Sequence, residues 1–246
     1  MPSFAEETVE TRFGGVRLFR GKNKRETETL VLPRHGARHA RLPHQINHRA
    51  NLTALKEAGA AAVVSLSVCG VLDPEVSLGK PVLAADVYFP DNRLGDGTAC
   101  TFFTEPGEPG RGHLLAASLV HGELNKAVSA GLRTGAETVP ELTYAHVTGP
   151  RFNTRVEIRA LRNAGAAILS QTCGPEAVLA NELELPYALA GYTVDYANGV
   201  VETPTPVEVL RENLEGARVC FTDLVANFSE PGEPWRFENF VYRFSP

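Results

Sequence analysis

Residues 60–68 form an uncharged run, Ala-Ala-Ala-Val-Val-Ser-Leu-Ser-Val, too short to cross a membrane and without the alternation of a half-exposed strand. A run of this kind reads as a strand buried on both faces. Such a strand needs helices above and below it, so it constrains the fold more than any other segment. Directly upstream, Leu52, Leu55 and Ala58 recur at helical spacing and stop at Gly59. That predicts a helix over residues 51–58 feeding the buried strand.

The same alternation runs on along the chain. Strands are expected at residues 30–32, 82–89, 143–147, 166–170 and 188–194. Helices are expected at 114–130, 155–163, 175–183 and 206–228, with residues 90–112 a loop rich in Gly, Pro and Asp. The pattern implies an α/β fold, a single three-layer α/β/α domain around a mostly parallel or mixed central sheet. A chain of 246 residues can close one core of this size. Residues 1–246 are therefore read as one domain, with 229–246 as an aromatic C-terminal extension. Phe237, Phe240, Tyr242 and Phe244 give that tail a partly alternating, strand-like pattern. It is expected to pack back onto the protein.

Net charge narrows the function. At −5 the chain lacks the basic excess that coats nucleic acid, and Lys22, Lys24 and Arg25 are diluted by Glu26 and Glu28, as at a solvated hairpin tip. No apolar run reaches the length of a membrane span, and the acidic N-terminal segment has no signal-like core. Cys69, Cys100, Cys173 and Cys220 lie far apart with no CxxC pair, which suits buried thiols in a reducing compartment. The expectation is a cytoplasmic protein without metal or organic cofactor.

Four short blocks carry chemistry. Leu32-Pro33-Arg34-His35-Gly36 pairs a guanidinium with an imidazole, a natural anion site because arginine clamps phosphate through parallel hydrogen bonds. Residues 46–52, Ile-Asn-His-Arg-Ala-Asn-Leu, follow it. Gly149-Pro150-Arg151-Phe152-Asn153-Thr154 is the third block. Gln171-Thr172-Cys173-Gly174-Pro175-Glu176, followed by Val194-Asp195-Tyr196, completes the set. In order, spacing and residue type, these blocks resemble the trimeric purine nucleoside phosphorylases, most closely the 5'-methylthioadenosine phosphorylase branch. The resemblance runs from about Val9 to Leu224.

It implies a homotrimer that cleaves the N-glycosidic bond of a purine nucleoside, with inorganic phosphate as co-substrate. By resemblance, Asp195 protonates N7 of the leaving base. A carboxyl group there also accepts from a 6-amino group, where the 6-oxopurine members carry Asn. A positioned acid of this kind is typically worth ~10²–10⁴ in rate. Phe152 stacks on the base, with Asn153 beside it, and Gln171 and Val68 face the ribose. His39 matches a position lining the pocket of the 5'-substituent, and Arg34, His35, Ser67 and Thr172 match the phosphate contacts.

The chain departs from the family pattern in three places. Ala197 stands where the methylthioadenosine branch usually has a second Asp, and Asn153 stands where 6-oxopurine enzymes usually carry Glu. The family's Gly-rich phosphate turn after a first strand has no counterpart before Leu30; Gly14-Gly15 sits in a hairpin instead. Each charge-assisted bond so lost is worth ~1.5–3 kcal/mol. Two alternatives follow, a nucleosidase using water and a non-catalytic nucleoside-binding relative. Arg34-His35-Gly36-Ala37-Arg38 also matches the opening of the histidine acid phosphatases, but no histidine here precedes an Asp or Glu as their proton donor requires.

Overall fold

The uncharged run becomes the centre of strand β4 (Val63–Val71), and the two helical layers it demands are present. The computed structural model describes residues 4–132, 138–230 and 232–244. In β4, Val63 and Cys69 join a core cluster with α1 (His48–Glu57) and α4 (Cys173–Glu182). Val64 and Leu66 point the other way, toward α2 (Gly122–Leu132) and α5 (Val207–Asn227).

The central sheet is mixed and closes on itself. Its strands β5 (Pro81–Tyr88), β7 (Glu141–His146), β8 (Ile168–Ser170) and β9 (Tyr187–Tyr196) join β4 in the order β4-β8-β7-β5-β9. The β4–β9, β5–β7 and β7–β8 pairs are parallel, whereas β4–β8 and β5–β9 are antiparallel. A bulge between Cys69 and Gly70 sets Gly70 opposite Asp195. Bulges bend a strand and re-aim its side chains; this one lies at the carboxyl ends of the parallel strands.

A second, antiparallel sheet is built from β1 (Ala5–Thr11), β2 (Gly14–Lys22) and β3 (Glu28–Val31). Its buried Val16 and Leu18 rest on Ala50 and Ala54 of α1. Asn47 starts that helix earlier than the apolar spacing alone indicates: its side chain accepts from the amide of Ala50 and donates to the carbonyl of Phe13. Helix α3 (Arg155–Asn163) has the expected bounds because Thr154 and Glu157 form a capping box.

Residues 114–130 differ from the expected single helix. Gly112–Leu115 is strand β6, and the helix begins only at Gly122. The tail causes this: β10 (Phe240–Arg243) pairs antiparallel with β6, against which Gly112 leaves no space for any side chain. Helix α2 also passes Gly131 instead of stopping there, because Gly131 lets α5 approach; a Cβ would sit 2.7 Å from Leu224.

The tail is tied down along its length. Trp235 packs against the α2–α5 cluster, and His121 Nε2 meets the carbonyl of Arg236 at 2.8 Å. Asn239 donates to the carbonyl of Ser118 and to Asn181 Oδ1, both at 2.8 Å, and Val241 is buried. Burying Trp235 and Val241 gives about 3 kcal/mol after the entropy of ordering the segment. Deleting residues 235–246 should therefore lower the melting temperature by about 10 °C, as scanning calorimetry would show. An unchanged melting temperature would mean that the tail stabilises nothing.

Candidate active site

Arg34 follows β3 and turns inward, where its side chain is mostly buried. One terminal nitrogen donates to Thr172 Oγ1 at 3.0 Å and to Cys173 Sγ at 3.6 Å, the other to the carbonyl of Leu66 at 3.1 Å, and Nε forms an ion pair with Glu176 Oε1 at 2.9 Å. Burial opposes the guanidinium charge most strongly, but Glu176 acting together with Cys173, Tyr187 and Tyr144 holds the pKa above the ordinary value. A guanidinium carries five N–H donors. Three are used in hydrogen bonds and Nε is paired with Glu176, so one remains for an anion.

Arg34 lines a groove of about 820 Å³ between the outer edges of β3 and β4. Among the described residues, β3 pairs only with β2, and β4 meets β8 only at Gly70 and Val71. One end of the groove is apolar, walled by Leu124, Phe221, Leu224, Phe228 and Trp235. The other holds Arg34, His35, His39, Ser67, Val68 and Thr172, so six of the sequence-predicted residues do converge. His35 Nδ1 meets the carbonyl of Arg41 at 2.9 Å, and its ring stacks on His39 with centroids 3.9 Å apart. Burial, against that hydrogen bond, lowers the His35 pKa. Ser67 Oγ donates to Ser170 Oγ at 3.0 Å, which in turn meets the Tyr144 hydroxyl at 2.8 Å.

The other predicted residues gather at the adjoining strand ends. Gln171 sits between the two groups, its amide donating to the carbonyl of Arg151 at 3.2 Å while its oxygen lies against Gly149. The Asn153 carbonyl accepts from Asn198 at 2.8 Å, which fastens the Phe152 loop to the segment after Asp195. Phe152 itself is 78% exposed, an open face for a flat ligand. Asp195 lies at the end of β9 beside Gly70, where a Cβ would come 3.6 Å from its carboxyl oxygen. Ser67 and Gly70 are three residues apart on β4, about 10 Å along a strand, which leaves room for a sugar between the anion end and Asp195.

Comparison with known proteins gives the family. The family model described as Phosphorylase superfamily matches residues 2–230. The chain belongs to the phosphorylase superfamily. It is 37% identical over 214 residues to a probable 6-oxopurine nucleoside phosphorylase of Thermococcus kodakarensis, covering 81% of this chain and 75% of that one. It is 32% identical over 230 residues to an S-methyl-5'-thioadenosine phosphorylase of Nitrosopumilus maritimus, covering 89% and 83%. Among solved structures, a methylthioadenosine phosphorylase from Schistosoma mansoni in complex with adenine aligns with a TM-score of 0.79 at 25% identity, over 92% of this chain and 86% of that chain. The last sixteen residues of this superfamily member, with their strand β10, lie beyond the family match.

Sequence reasoning missed Glu176, Gly70 and the Ser170–Tyr144 pair, as well as a buried pair of histidines. Glu176 closes one of the sequence blocks, but no role was assigned to it there, and an acidic residue in the first turn of a helix is a common stabilising placement. His48 opens α1 and His146 ends β7; each has a buried Nδ1 with no hydrogen-bond partner. Burial, helped by Arg34 and His35, pushes His48 down to about 3, and burial with His48 pushes His146 to about 3. Asp195 moves oppositely, raised by burial to about 6, and its carboxyl accepts no hydrogen bond among the described residues.

These shifts set a pH dependence of stability. The unfolded histidines take up protons near pH 6.5 and the folded ones only near pH 3, so stability is full above 6.5 and falls as pH drops. Each costs about 2 kcal/mol between pH 7.5 and 5. Asp195 has the reverse sign and offsets about 1 kcal/mol after discounting its partial exposure. Urea denaturation should thus show a net loss of about 3 kcal/mol between those pH values, and His146→Leu should remove about half of the histidine contribution. A flat profile would contradict the buried neutral histidines.

Proposed function

We propose that this chain is a phosphorylase of purine nucleosides, with 6-aminopurine nucleosides such as 5'-methylthioadenosine as its preferred class. The observation that carries the reading is Asp195: a half-buried carboxyl group with a pKa of about 6, free of partners, at the strand end beside Gly70. At neutral pH a useful fraction of such a group is protonated, the state a general acid needs. Relatives acting on methylthioadenosine and on 6-oxopurine nucleosides both fall within reach of this sequence. The side chain at 195 inclines the choice to the 6-amino class, because a carboxylate oxygen accepts from an amino group and not from a carbonyl.

In this reading, phosphate docks against the Arg34 guanidinium with Thr172, Ser67 and His35 around it. One phosphate oxygen attacks C1' as the bond from C1' to the base nitrogen breaks. Asp195 delivers its proton to N7, so the base leaves neutral and the sugar keeps the phosphate. Phe152 holds the base, while Gln171, Asn153, Val68 and His39 border the sugar and the 5'-group. Assembly as a homotrimer in the cytoplasm, with phosphate as the only co-substrate, belongs to the same reading. A second reading, water as the nucleophile, draws on the fact that four of the five Arg34 donors are already committed.

Product analysis with methylthioadenosine, adenosine and inosine, with and without phosphate, tests both. Turnover should require phosphate and yield the sugar 1-phosphate; phosphate-independent release of free sugar would establish the hydrolytic reading. Asp195→Asn should lower turnover on 6-aminopurine nucleosides by ~10²–10⁴, since an amide cannot protonate N7. In the wild type, the alkaline limb of the pH–rate profile should fall as pH rises above about 6. Near-wild-type rates for Asp195→Asn would remove Asp195 from the mechanism.

A further inference from the structure

We infer that Asn198 is a positioning residue for Phe152: it ties the loop that carries this exposed ring to the end of the strand that carries Asp195. The inference rests on the reading of Phe152 as the face that holds the base, and it assigns a role to a residue outside the direct contacts named above.

Side chains hold the loop after β7. Three consecutive carbonyls each accept from one: that of Arg151 from the Gln171 amide at 3.2 Å, that of Phe152 from the Arg151 guanidinium at 3.2 Å, and that of Asn153 from the Asn198 amide at 2.8 Å. The Arg151 guanidinium also pairs with Glu157, so the middle contact leads only to the first turn of α3. Gln171 leads to the end of β8, and Asn198 leads to β9. Of the three, Asn198 alone connects the loop to the strand of Asp195.

Asn198 can serve as an anchor because the turn around it is itself fixed. The Ala197 amide donates to the carbonyl of Val71, the last residue of β4, at 2.9 Å, and the Val200 amide closes the turn onto the Ala197 carbonyl at 3.1 Å. Ala197 and Val200 pack on the apolar cluster that holds Ile158, with Leu161 of α3 beside them. Gly199 has a φ of +81° and lies so close to Arg155 that a Cβ would sit 2.7 Å from that side chain; a glycine there lets the turn approach α3. Phe152, by contrast, is 78% exposed, so its ring is placed by its backbone more than by packing. Stacking and proton transfer act on the same base. A platform free to drift relative to Asp195 would spend binding energy on ordering the loop and present N7 poorly to the acid.

The test is a double-mutant cycle on the full-length protein, read by titration calorimetry with inorganic phosphate and with the tighter-binding of adenine and hypoxanthine. Asn198→Ala removes one exposed, uncharged hydrogen bond and should weaken the purine about fivefold, with phosphate binding unchanged. General loosening of the fold would not produce that split. In the Phe152→Ala background, Asn198→Ala should have no further effect on the purine, because the ring it positions is gone. If Asn198→Ala does not fold, Asn198→Ser, whose hydroxyl stops one bond short of the Asn153 carbonyl, takes its place. Purine binding unchanged by the Asn198 variant, or weakened fivefold again without the Phe152 ring, overturns the positioning role while leaving the function standing. Purine binding unchanged by Phe152→Ala, or no binding of either purine to the wild type at millimolar concentration, overturns the reading of the base site and the positioning role with it.

Discussion

The buried contact between Arg34 and Glu176 joins parts of the chain that have no other reason to meet. Arg34 comes from the end of the antiparallel sheet, Leu66 from the middle of the barrel strand β4, and Thr172 and Glu176 from the turn into α4. Removing one partner would leave an uncompensated charge in the interior, a loss of ~3–5 kcal/mol. The pair therefore fixes where the small sheet sits relative to the barrel. It also holds the guanidinium in the wall of the groove, which is how a structural contact comes to shape a binding surface.

The barrel supplies the rest of the site. The parallel strands β4 and β9 carry Gly70 and Asp195 near their carboxyl ends, and the segments after the parallel strands β7 and β8 carry Phe152 and Gln171. Ligand sites of α/β folds collect at such carboxyl ends because the connecting loops there are free to vary while the strands hold them in register. The bulge opposite Gly70 is the local adjustment that brings Asp195 to the edge without covering its carboxyl group.

Much of the fold was legible in local pattern. The uncharged run at residues 60–68 announced a strand between two helical layers, and the helix expected at 155–163 is α3. Pattern failed at 114–130, where the residues have helical spacing but the first of them are taken by a distant tail. Four hydrogen-bonded residue pairs with β10 outweigh a weak helical preference, and nothing near Gly112 in the sequence signals that partner.

The candidate site divides in the same way. The residue types that do chemistry, Arg34, His35, Phe152, Thr172 and Asp195, were recognisable in sequence because short blocks of fixed spacing survive divergence. Their order along the chain determined the family and the class of substrate to look for. Only the tertiary structure decided that Arg34 meets Glu176, that Gln171 is tied to the Arg151 carbonyl, and that the buried Nδ1 atoms of His48 and His146 find no hydrogen-bond partner among the described residues. Those facts depend on which groups face each other across many residues of chain, and on how far water is excluded from them. Distance and dielectric are properties of packing, and no local stretch of sequence contains them.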